Sequence, residues 1–282
     1  MPELPEVETM RRGIAGIAGS RIAGAERVKC RRRPISIEPR GVALARRLRG
    51  RRIEEVGRLG KRVVLRIDSG DRLIFEPRMT GLVLVADPPT REHLRFRLDL
   101  SDGPIPHVWY WDRRGLGSVR LLTARQFAEQ LGEGKLGPDA LALSADGLRQ
   151  RLAQSRRAIK VALLDQRAVA GVGNLYASEI LHLARVHPAK RCDLLTVTQW
   201  QAIHSRMIEV LELAIRHEGS TLSDGTYRNA LNQSGGYQNH HRVYDRAGRP
   251  CQSCGLAAIV RVVQAQRATF YCPTCQTKRP RP

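Results

Sequence analysis

The sequence predicts an α+β protein in which β-strands come first, helices follow, and a small metal-binding module ends the chain. Between about Ile22 and Leu122, short apolar runs alternate with polar turns, which is typical of an antiparallel sandwich or barrel-like domain. From Thr123 onward, apolar residues recur at helical spacing. Two Cys-x-x-Cys pairs lie near the end. A chain of 282 residues is long enough for two domains and an appended module.

Several runs in the first region have the composition of strands. The clearest covers residues 94–100, where Leu94, Phe96 and Leu98 alternate with charged residues, as in a strand with one buried face. Ser-Gly-Asp at 69–71 and Ser-Asp-Gly at 101–103 indicate turns between neighbouring strands. The predicted strands cover residues 52–56, 63–67, 73–75, 82–85, 94–100 and 108–111.

Helical spacing occurs on both sides of this region. Near the N-terminus, Val7, Met10 and Ile14 share one face of a helix predicted over residues 6–15. Glycine and charge at 132–138 indicate an interdomain linker, and the polar stretch 220–238 indicates a long mobile loop. The later helices are predicted over residues 123–131, 145–154, 159–165, 174–183 and 198–217.

The chain is strongly basic, with 48 Lys and Arg residues against 27 acidic ones and a net charge of +21 at pH 7. Such an excess predicts binding to a polyanion, most simply nucleic acid, with a membrane surface as the competing partner. We expect no membrane span, because no stretch approaches about 20 continuous apolar residues. We also expect no signal peptide, because Arg11 and Arg12 lie where its apolar core would be. These expectations favour a cytoplasmic, nucleoid-associated protein.

The C-terminal cysteines predict a structural zinc site. They form two Cys-x-x-Cys pairs separated by 17 residues, a spacing typical of tetrathiolate zinc ligands on a β-hairpin. Four thiolates leave the metal no open position, so we expect the zinc to stabilise the fold and not to activate water. The ligands would be Cys251, Cys254, Cys272 and Cys275. The isolated Cys30 and Cys192 are expected to be buried structural cysteines.

The N-terminus carries a proline directly after the initiator methionine. Removal of Met1 would leave Pro2 with a free secondary amine, and Glu3 and Glu6 lie within four positions of it. An α-amino group titrates near about 7.7–8.0, so part of it is neutral and nucleophilic at physiological pH. Amines of this kind form Schiff bases with carbonyl-like carbons. Taken alone, these residues also fit a solvated, frayed chain end.

A glycine-containing turn joins two predicted helices near residues 170–174. Gly171 and Gly173 permit a tight turn and close approach of the backbone to a ligand. Asn174 is placed to cap the next helix, whose first amides favour an anion such as a DNA phosphate. Lys160, one helix earlier, would supply a second phosphate contact. An ordinary helix–helix turn fits the same residues.

Three separated motifs occur in order along the chain. They are the opening Met-Pro-Glu-Leu-Pro-Glu-Val-Glu, Gly-Asn-Leu-Tyr-Ala-Ser-Glu at 173–179, and Gln-Arg-Ala-Thr-Phe-Tyr-Cys-Pro-Thr-Cys-Gln at 266–276. Together they resemble formamidopyrimidine-DNA glycosylase over essentially the whole chain. The resemblance implies an N-terminal antiparallel β-sandwich, a helical helix–two-turn–helix domain and a C-terminal β-hairpin zinc finger. The implied boundaries are a catalytic domain at 1–131, a linker at 132–143, a helix–two-turn–helix domain at 144–240 and a zinc finger at 241–282.

The resemblance also implies catalytic roles. Pro2 would be the nucleophile, Glu3 a general acid beside it, and Glu6 a support for the site. Lys61 matches a lysine on a β-turn that faces the lesion and its phosphate.

The implied DNA contacts form two groups. One group fills the space left by a flipped base and comprises Met79, Arg114 and Leu116; the other grips phosphates and comprises Lys160, Asn174 and Arg267. The first group departs from the family pattern, since Glu76-Pro77-Arg78 replaces His-Leu-Gly before the methionine and Leu116 replaces a phenylalanine. A leucine can still wedge between bases, although it stacks less well than an aromatic ring.

On this resemblance the protein would be a bifunctional DNA glycosylase and AP lyase that acts as a monomer on damaged double-stranded DNA and holds one structural Zn²⁺. Oxidised purines, namely 8-oxoguanine and formamidopyrimidines, would leave through a Schiff base on Pro2, followed by β,δ-elimination. The alternatives are an endonuclease VIII-like glycosylase for oxidised pyrimidines and a non-catalytic damaged-DNA-binding protein. The presence of Pro2, Glu3 and Lys61 together argues against the second alternative.

Overall fold

A computed structural model describes residues 2–40, 42–132 and 134–277. The chain forms two compact units. The first comprises the residues up to Lys135 together with Ile215–Gln238, and the second comprises Leu136–Ala214 and the chain from Asn239 onward. The segment Ile215–Gln238, which lies within the predicted helical domain, is therefore part of the N-terminal unit. Within the described residues, no helix has the length and apolar character needed to cross a membrane.

The first unit is the predicted β-sandwich. One sheet contains β1 (Arg21–Arg27), β6 (Gly81–Leu84), β7 (Leu94–Ser101) and β8 (His107–Asp112), in the antiparallel order β1-β7-β8-β6. The other contains β2 (Ser36–Glu38), β3 (Ile53–Leu59), β4 (Arg62–Ile67), β5 (Arg72–Glu76) and β9 (Ser118–Leu122), in the order β2-β9-β5-β4-β3. Its neighbours are antiparallel except β2 and β9, which are parallel. The predicted fold class is thus confirmed.

The sandwich core continues into the N-terminal helix α1 (Leu4–Gly13). Val7, Met10 and Ile14, predicted to share one helical face, are all fully buried in the core cluster that also contains Phe75 and Tyr110. Burial of each large apolar side chain contributes about 1.5–3 kcal/mol. This packing anchors Pro2 and Glu3, the first residues that the structure describes, so these two positions are not frayed.

Three strands and one α-helix of this unit were not predicted from the sequence: β1, β2, β9 and the short helix α2 (Val42–Leu48). The first strand carries arginine at both ends, and the second has only three residues, none of them buried. The helix buries only Leu44 and Leu48. Elements this short or this charged give too few apolar repeats to be recognised as periodic. The last helix of the unit, α3 (Ala124–Leu131), begins at a capping box formed by Thr123 and Gln126.

The second unit is helical and ends in the zinc hairpin. Its helices are α4 (Ala145–Leu152), α5 (Ile159–Leu163), α6 (Asn174–Leu183) and α7 (Val197–Arg216), the last of which ends in the first unit. Strands β10 (Val260–Gln264) and β11 (Arg267–Tyr271) pair antiparallel. The turn residues Ala265 and Gln266 both have positive φ, 45° and 61°, as a type I′ hairpin requires. Part of the predicted linker is also structured, since Asp139 forms a bridge with Ala170.

Candidate active site and DNA-binding elements

The N-terminus is built into the start of α1. Pro2 is buried, and Glu3, only 3% exposed, is the N-cap residue of the helix. The backbone N–H of Glu3 donates to Glu6 Oε2 at 2.9 Å, which completes a reciprocal capping box. The main chain beside Pro2 is therefore held rigidly, and the carboxylates of Glu3 and Glu6 lie in a protein environment.

Glu6 also joins α1 to the segment Ile215–Gln238. Its second oxygen, Oε1, accepts a hydrogen bond from the backbone N–H of Ser220 at 2.8 Å. The Tyr227 hydroxyl donates to the carbonyl oxygens of Glu218 at 2.9 Å and Glu6 at 3.4 Å. Burial raises the pKa of Tyr227 well above its usual value, so the hydroxyl stays protonated and remains a donor. The stretch predicted as a long mobile loop is thus tied to the N-terminal helix.

A second link ties α1 to the turn that carries Lys61. Glu8, which is 8% exposed, accepts hydrogen bonds from Arg58 Nε at 3.0 Å, Arg11 Nη2 at 2.7 Å and Arg12 Nε at 2.8 Å. Burial pushes the pKa of Glu8 upward, but the hydrogen bonds from these arginines outweigh burial and hold the pKa below its usual value. Glu8 is therefore a carboxylate at neutral pH.

Arg58 extends this link toward the β3–β4 turn, since its Nη1 donates to the carbonyl of Gly60 at 3.0 Å. Gly60 has φ +56°, a conformation that favours glycine, and the half-buried Lys61 follows it in the turn. Sequence reasoning missed Glu8 and Arg58. The local part of the signal was present, because Glu8 is spaced for helical ion pairs with Arg11 and Arg12.

The turns that carry Met79 and Arg114 lie at the same end of one strand pair. Gly81 at the start of β6 pairs with Asp112 at the end of β8. Met79, just before β6, is 37% exposed; Arg114, just after β8, is exposed, and Leu116 is half-buried. The structure therefore places the three predicted wedge residues on adjoining turns.

Asp112 holds these two turns together. Its side chain is fully buried and accepts hydrogen bonds from the Thr80 hydroxyl, from the backbone N–H of Arg114 at 3.1 Å and from that of Gly117 at 2.8 Å. The Thr80 hydroxyl in turn accepts from the N–H of Arg114 at 2.9 Å. One carboxylate thus fixes the backbone on both sides of Arg114 and Leu116.

The unusual residues before Met79 form ion pairs. Glu76 accepts two hydrogen bonds from Arg62, both at 3.2 Å, and also contacts Arg78 Nε at 3.4 Å. Arg78 has φ +49°, a left-handed conformation that side chains rarely adopt. Arg78 thus combines a backbone conformation typical of glycine with an ion pair to the carboxylate two residues earlier.

In the second unit, Lys160 and Asn174 meet the zinc hairpin. Lys160 is 1% exposed, and its ammonium group donates to Asn174 Oδ1 at 2.7 Å, to the carbonyl of Ala268 at 2.9 Å and to Thr269 Oγ1 at 2.7 Å. Asn174 Nδ2 donates to the same Ala268 carbonyl at 3.0 Å. Asn174 is the first residue of α6, whose N-cap is Gly173 and not Asn174 as predicted. The lysine is thus enclosed by protein and orients the asparagine.

The predicted zinc centre is confirmed by its geometry. The Sγ atoms of the four cysteines all lie within 4.8 Å of one another, with Cys251–Cys275 at 3.9 Å and Cys254–Cys272 at 3.7 Å. Tetrahedral zinc with Zn–S bonds of about 2.3 Å separates its sulfurs by about 3.8 Å. These residues therefore suit one structural zinc ion, which would hold the hairpin on which Arg267 is exposed at the start of β11.

Glu179, the last residue of the motif at 173–179, is a further supporting residue. It is fully buried on α6 and accepts backbone hydrogen bonds from Arg242 at 2.9 Å, Val243 at 3.0 Å and Tyr244 at 2.7 Å. Burial raises the pKa of Glu179, and the three N–H donors partly counter that rise. The carboxyl group fixes the chain that leads from the helices into the zinc hairpin.

Comparison with known proteins accounts for all three parts of the chain. Three family models match: the formamidopyrimidine-DNA glycosylase N-terminal domain at residues 1–119, the formamidopyrimidine-DNA glycosylase H2TH domain at 136–226, and the zinc finger found in FPG and IleRS at 248–278. Formamidopyrimidine-DNA glycosylase from Chloroflexus aurantiacus is 40% identical over 287 residues and covers 100% of both chains. The protein of that name from Chloroflexus aggregans is 42% identical over 98% of each chain.

Solved structures agree in fold. MutM (FPG) from Thermus thermophilus superposes with a TM-score of 0.85 at 35% identity, over 99% of this chain and 100% of that one. A mutant of Lactococcus lactis FPG, in complex with DNA containing Fapy-dG, superposes with a TM-score of 0.86 at 34% identity, over 98% and 100%. The sandwich, the helix–two-turn–helix domain and the zinc hairpin define a class of DNA-repair glycosylases. Within that class, the chain belongs to the formamidopyrimidine-DNA glycosylase family.

Proposed function

We propose that this protein excises oxidised purines from damaged duplex DNA and then cleaves the strand, with Pro2 as the nucleophile. Membership of the family supports the glycosylase and lyase class. Among the solved relatives, one is bound to DNA containing Fapy-dG and another, a MutM, to DNA containing carbocyclic 8-oxo-G. Within this chain, the proposal depends on the buried N-terminus, where Pro2 and Glu3 are held at the start of α1 by the capping box with Glu6.

The chemistry proceeds from the free amine left by removal of Met1. Glu3 donates a proton toward the deoxyribose ring oxygen while the Pro2 nitrogen attacks C1′, and the damaged base leaves. The resulting iminium makes the adjacent sugar protons acidic, so β- and then δ-elimination cleaves the strand on both sides. Lys61 stabilises phosphate charge from its turn between β3 and β4. Flipping of the nucleotide costs a few kcal/mol and is least costly at a lesion.

The remaining residues bind the DNA. Met79, Arg114 and Leu116 occupy the space left by the flipped nucleotide, supported by the turns that Asp112 joins. Asn174 and Arg267 contact phosphates, and Lys160 contributes by orienting Asn174. Apolar residues of several kinds serve as wedges in other DNA-bending proteins, so Leu116 retains that role.

Borohydride trapping tests the nucleophile. Wild-type protein lacking Met1, verified by mass spectrometry, should form a covalent complex with an 8-oxoguanine duplex, and Pro2→Gly should form little or none. Pro5→Ala is the matched control, because it changes a nearby proline without changing the amine. Protein that retains Met1 should fail as Pro2→Gly does, since its Pro2 nitrogen is an amide. A trapped complex in the Met1-retaining protein would refute the assignment of Pro2.

A lesion panel tests the substrate class. Duplexes containing 8-oxoguanine or formamidopyrimidine should be cleaved faster than thymine-glycol duplexes under single-turnover conditions. Faster cleavage of thymine glycol would indicate the endonuclease VIII-like alternative, and binding without cleavage would indicate a damaged-DNA-binding protein. We also infer a monomer acting at the nucleoid, which light scattering and the co-sedimentation of the protein with nucleoids would check.

A further inference from the structure

Cys30, which has no role in the proposed reaction, lies in a polar and strongly basic environment. It follows β1, is partly exposed, and has the exposed Lys29 and Arg31 on either side. Its Sγ donates to the carbonyl oxygen of Glu92 at 2.8 Å and accepts from the backbone N–H of Arg32 at 3.3 Å. The predicted buried structural cysteine is therefore accessible, in contrast to Cys192, which is fully buried.

The other donor to this sulfur is the guanidinium of Arg95. Arg95 lies at a β-bulge in β7, between Leu94 and Phe96, and is only 2% exposed. Its Nη1 donates to Cys30 Sγ, and its Nε donates to the main-chain carbonyl of Asp112 at 2.8 Å. Among the residues that the structure describes, none supplies an acceptor to its buried Nη2 atom. A buried, charged donor without an acceptor is costly, and here it belongs to the same guanidinium that contacts the sulfur.

We propose that Cys30 is a site of reversible oxidation by hydrogen peroxide. The sulfur attacks one peroxide oxygen, so an S–O bond forms as the O–O bond breaks, and the sulfur is oxidised by two electrons. The other peroxide oxygen takes the thiol proton and leaves as water. The product is a sulfenic acid, which two equivalents of a small thiol reduce back to cysteine with release of water and a disulfide. The sulfur is partly exposed, so peroxide can reach it, and the Arg95 guanidinium and the Arg32 N–H donate to it.

The oxygen added to Cys30 is the acceptor that Arg95 Nη2 lacks. Because Arg95 also holds the carbonyl of Asp112, a shift of its guanidinium toward the new oxygen reaches the residue that fixes the Arg114 turn. Oxidation of Cys30 therefore alters the turn that carries Arg114 and Leu116. This consequence for excision rests on the proposed function, whereas the oxidation itself does not.

Chemical labelling tests the modification. Full-length, zinc-loaded protein is treated with near-stoichiometric peroxide and dimedone, and the adduct is located by peptide mass spectrometry. We expect the adduct on Cys30, its loss in Cys30→Ser, and its retention in the matched control Cys192→Ala. An adduct confined to other cysteines, or no adduct, would overturn the proposal. Zinc content is measured in parallel so that oxidation of the metal ligands is recognised.

Two further measurements test the role of Arg95 and the coupling. Arg95→Lys keeps the positive charge but removes Nη2. In this variant we expect the sulfenic acid of Cys30 to react with dimedone, or to be oxidised further, several-fold faster than in wild type. A sulfenic acid that lasts as long as in wild type would overturn the role of Nη2. Single-turnover excision by wild type should fall several-fold on oxidation and recover with dithiothreitol, while Cys30→Ser should not respond. Equal excision by oxidised and reduced protein would overturn the coupling. Labelling decides the modification even if the protein proves to lack glycosylase activity.

Discussion

The substitution Asp112→Asn tests whether one buried carboxylate organises the wedge turns. Asparagine has nearly the same shape, so packing is preserved while one acceptor oxygen becomes an NH₂ group. If the remaining oxygen still accepts hydrogen bonds from the Thr80 hydroxyl and the N–H of Arg114, the new amide nitrogen faces the N–H of Gly117. In the wild type, the nitrogen of Gly117 lies 2.8 Å from the carboxylate oxygen. Two donors then oppose each other in a fully buried site.

The expected loss follows from these contacts. A hydrogen bond to a charged group contributes about 1.5–3 kcal/mol, and an unsatisfied buried donor costs about 1–3 kcal/mol. Removal of the buried charge relieves its desolvation and offsets part of this loss. We therefore expect the free energy of unfolding to fall by about 2 kcal/mol, roughly a 30-fold change in the ratio of folded to unfolded protein.

Urea unfolding followed by tryptophan fluorescence measures this loss, because Trp109 and Trp111 both lie in β8. The matched control is Asp99→Asn in the same sheet, where a more exposed carboxylate pairs with Arg97 and His107 and its removal should cost less than about 1 kcal/mol. Single-turnover excision of 8-oxoguanine should fall in Asp112→Asn more than in the control. An unfolding free energy within about 0.5 kcal/mol of wild type would refute the reasoning.

Three further outcomes are expected. Cys272→Ser should lose one equivalent of zinc by metal analysis, and it should also lose DNA cleavage, because the hairpin depends on the metal. The control Cys192→Ala should keep its zinc and its cleavage activity. Lys160→Met should lower the free energy of unfolding by about 3 kcal/mol, because three acceptors lose a charged donor. The same variant should bind lesion DNA more weakly in fluorescence anisotropy. An unchanged affinity would contradict the role of Lys160 in positioning Asn174. Burial lowers the pKa of His241 from 6.5 to about 4, so the folded state favours the neutral imidazole. The stability that this preference contributes is fully present above pH 6.5 and is lost as the pH falls toward 4. Urea unfolding should therefore show that wild type loses about 2 kcal/mol more than His241→Asn between pH 7.5 and pH 5; parallel pH profiles would exclude His241 as the cause.

The parts predicted well from the sequence are those in which the interacting residues are close along the chain. Glu3 and Glu6 lie within four positions of Pro2, and each zinc knuckle has the Cys-x-x-Cys spacing. The helical face of Val7 and Met10 is a local periodicity of the same kind. Backbone geometry alone brings such residues together, so their spacing is sufficient evidence.

The supporting contacts of the site could not be predicted in this way. Glu8 meets Arg58, 50 residues later, and Lys160 meets Thr269, 109 residues later. Asp112 meets Thr80 through the pairing of β6 with β8. Each of these contacts depends on strand pairing or helix packing, which no local spacing encodes.

The sequence by itself determined the family, the zinc ligands and the presence of a proline at position 2 beside two carboxylates, because these are properties of residue identity and short spacing. Only the tertiary structure decided that Pro2 and Glu3 are buried, that Lys160 orients Asn174 from within the fold, and that Cys30 is accessible beside Arg95. The physical reason is burial. Whether a charged or nucleophilic group faces solvent, a partner or the core depends on residues distant in the chain, and burial sets its charge state and its reactivity.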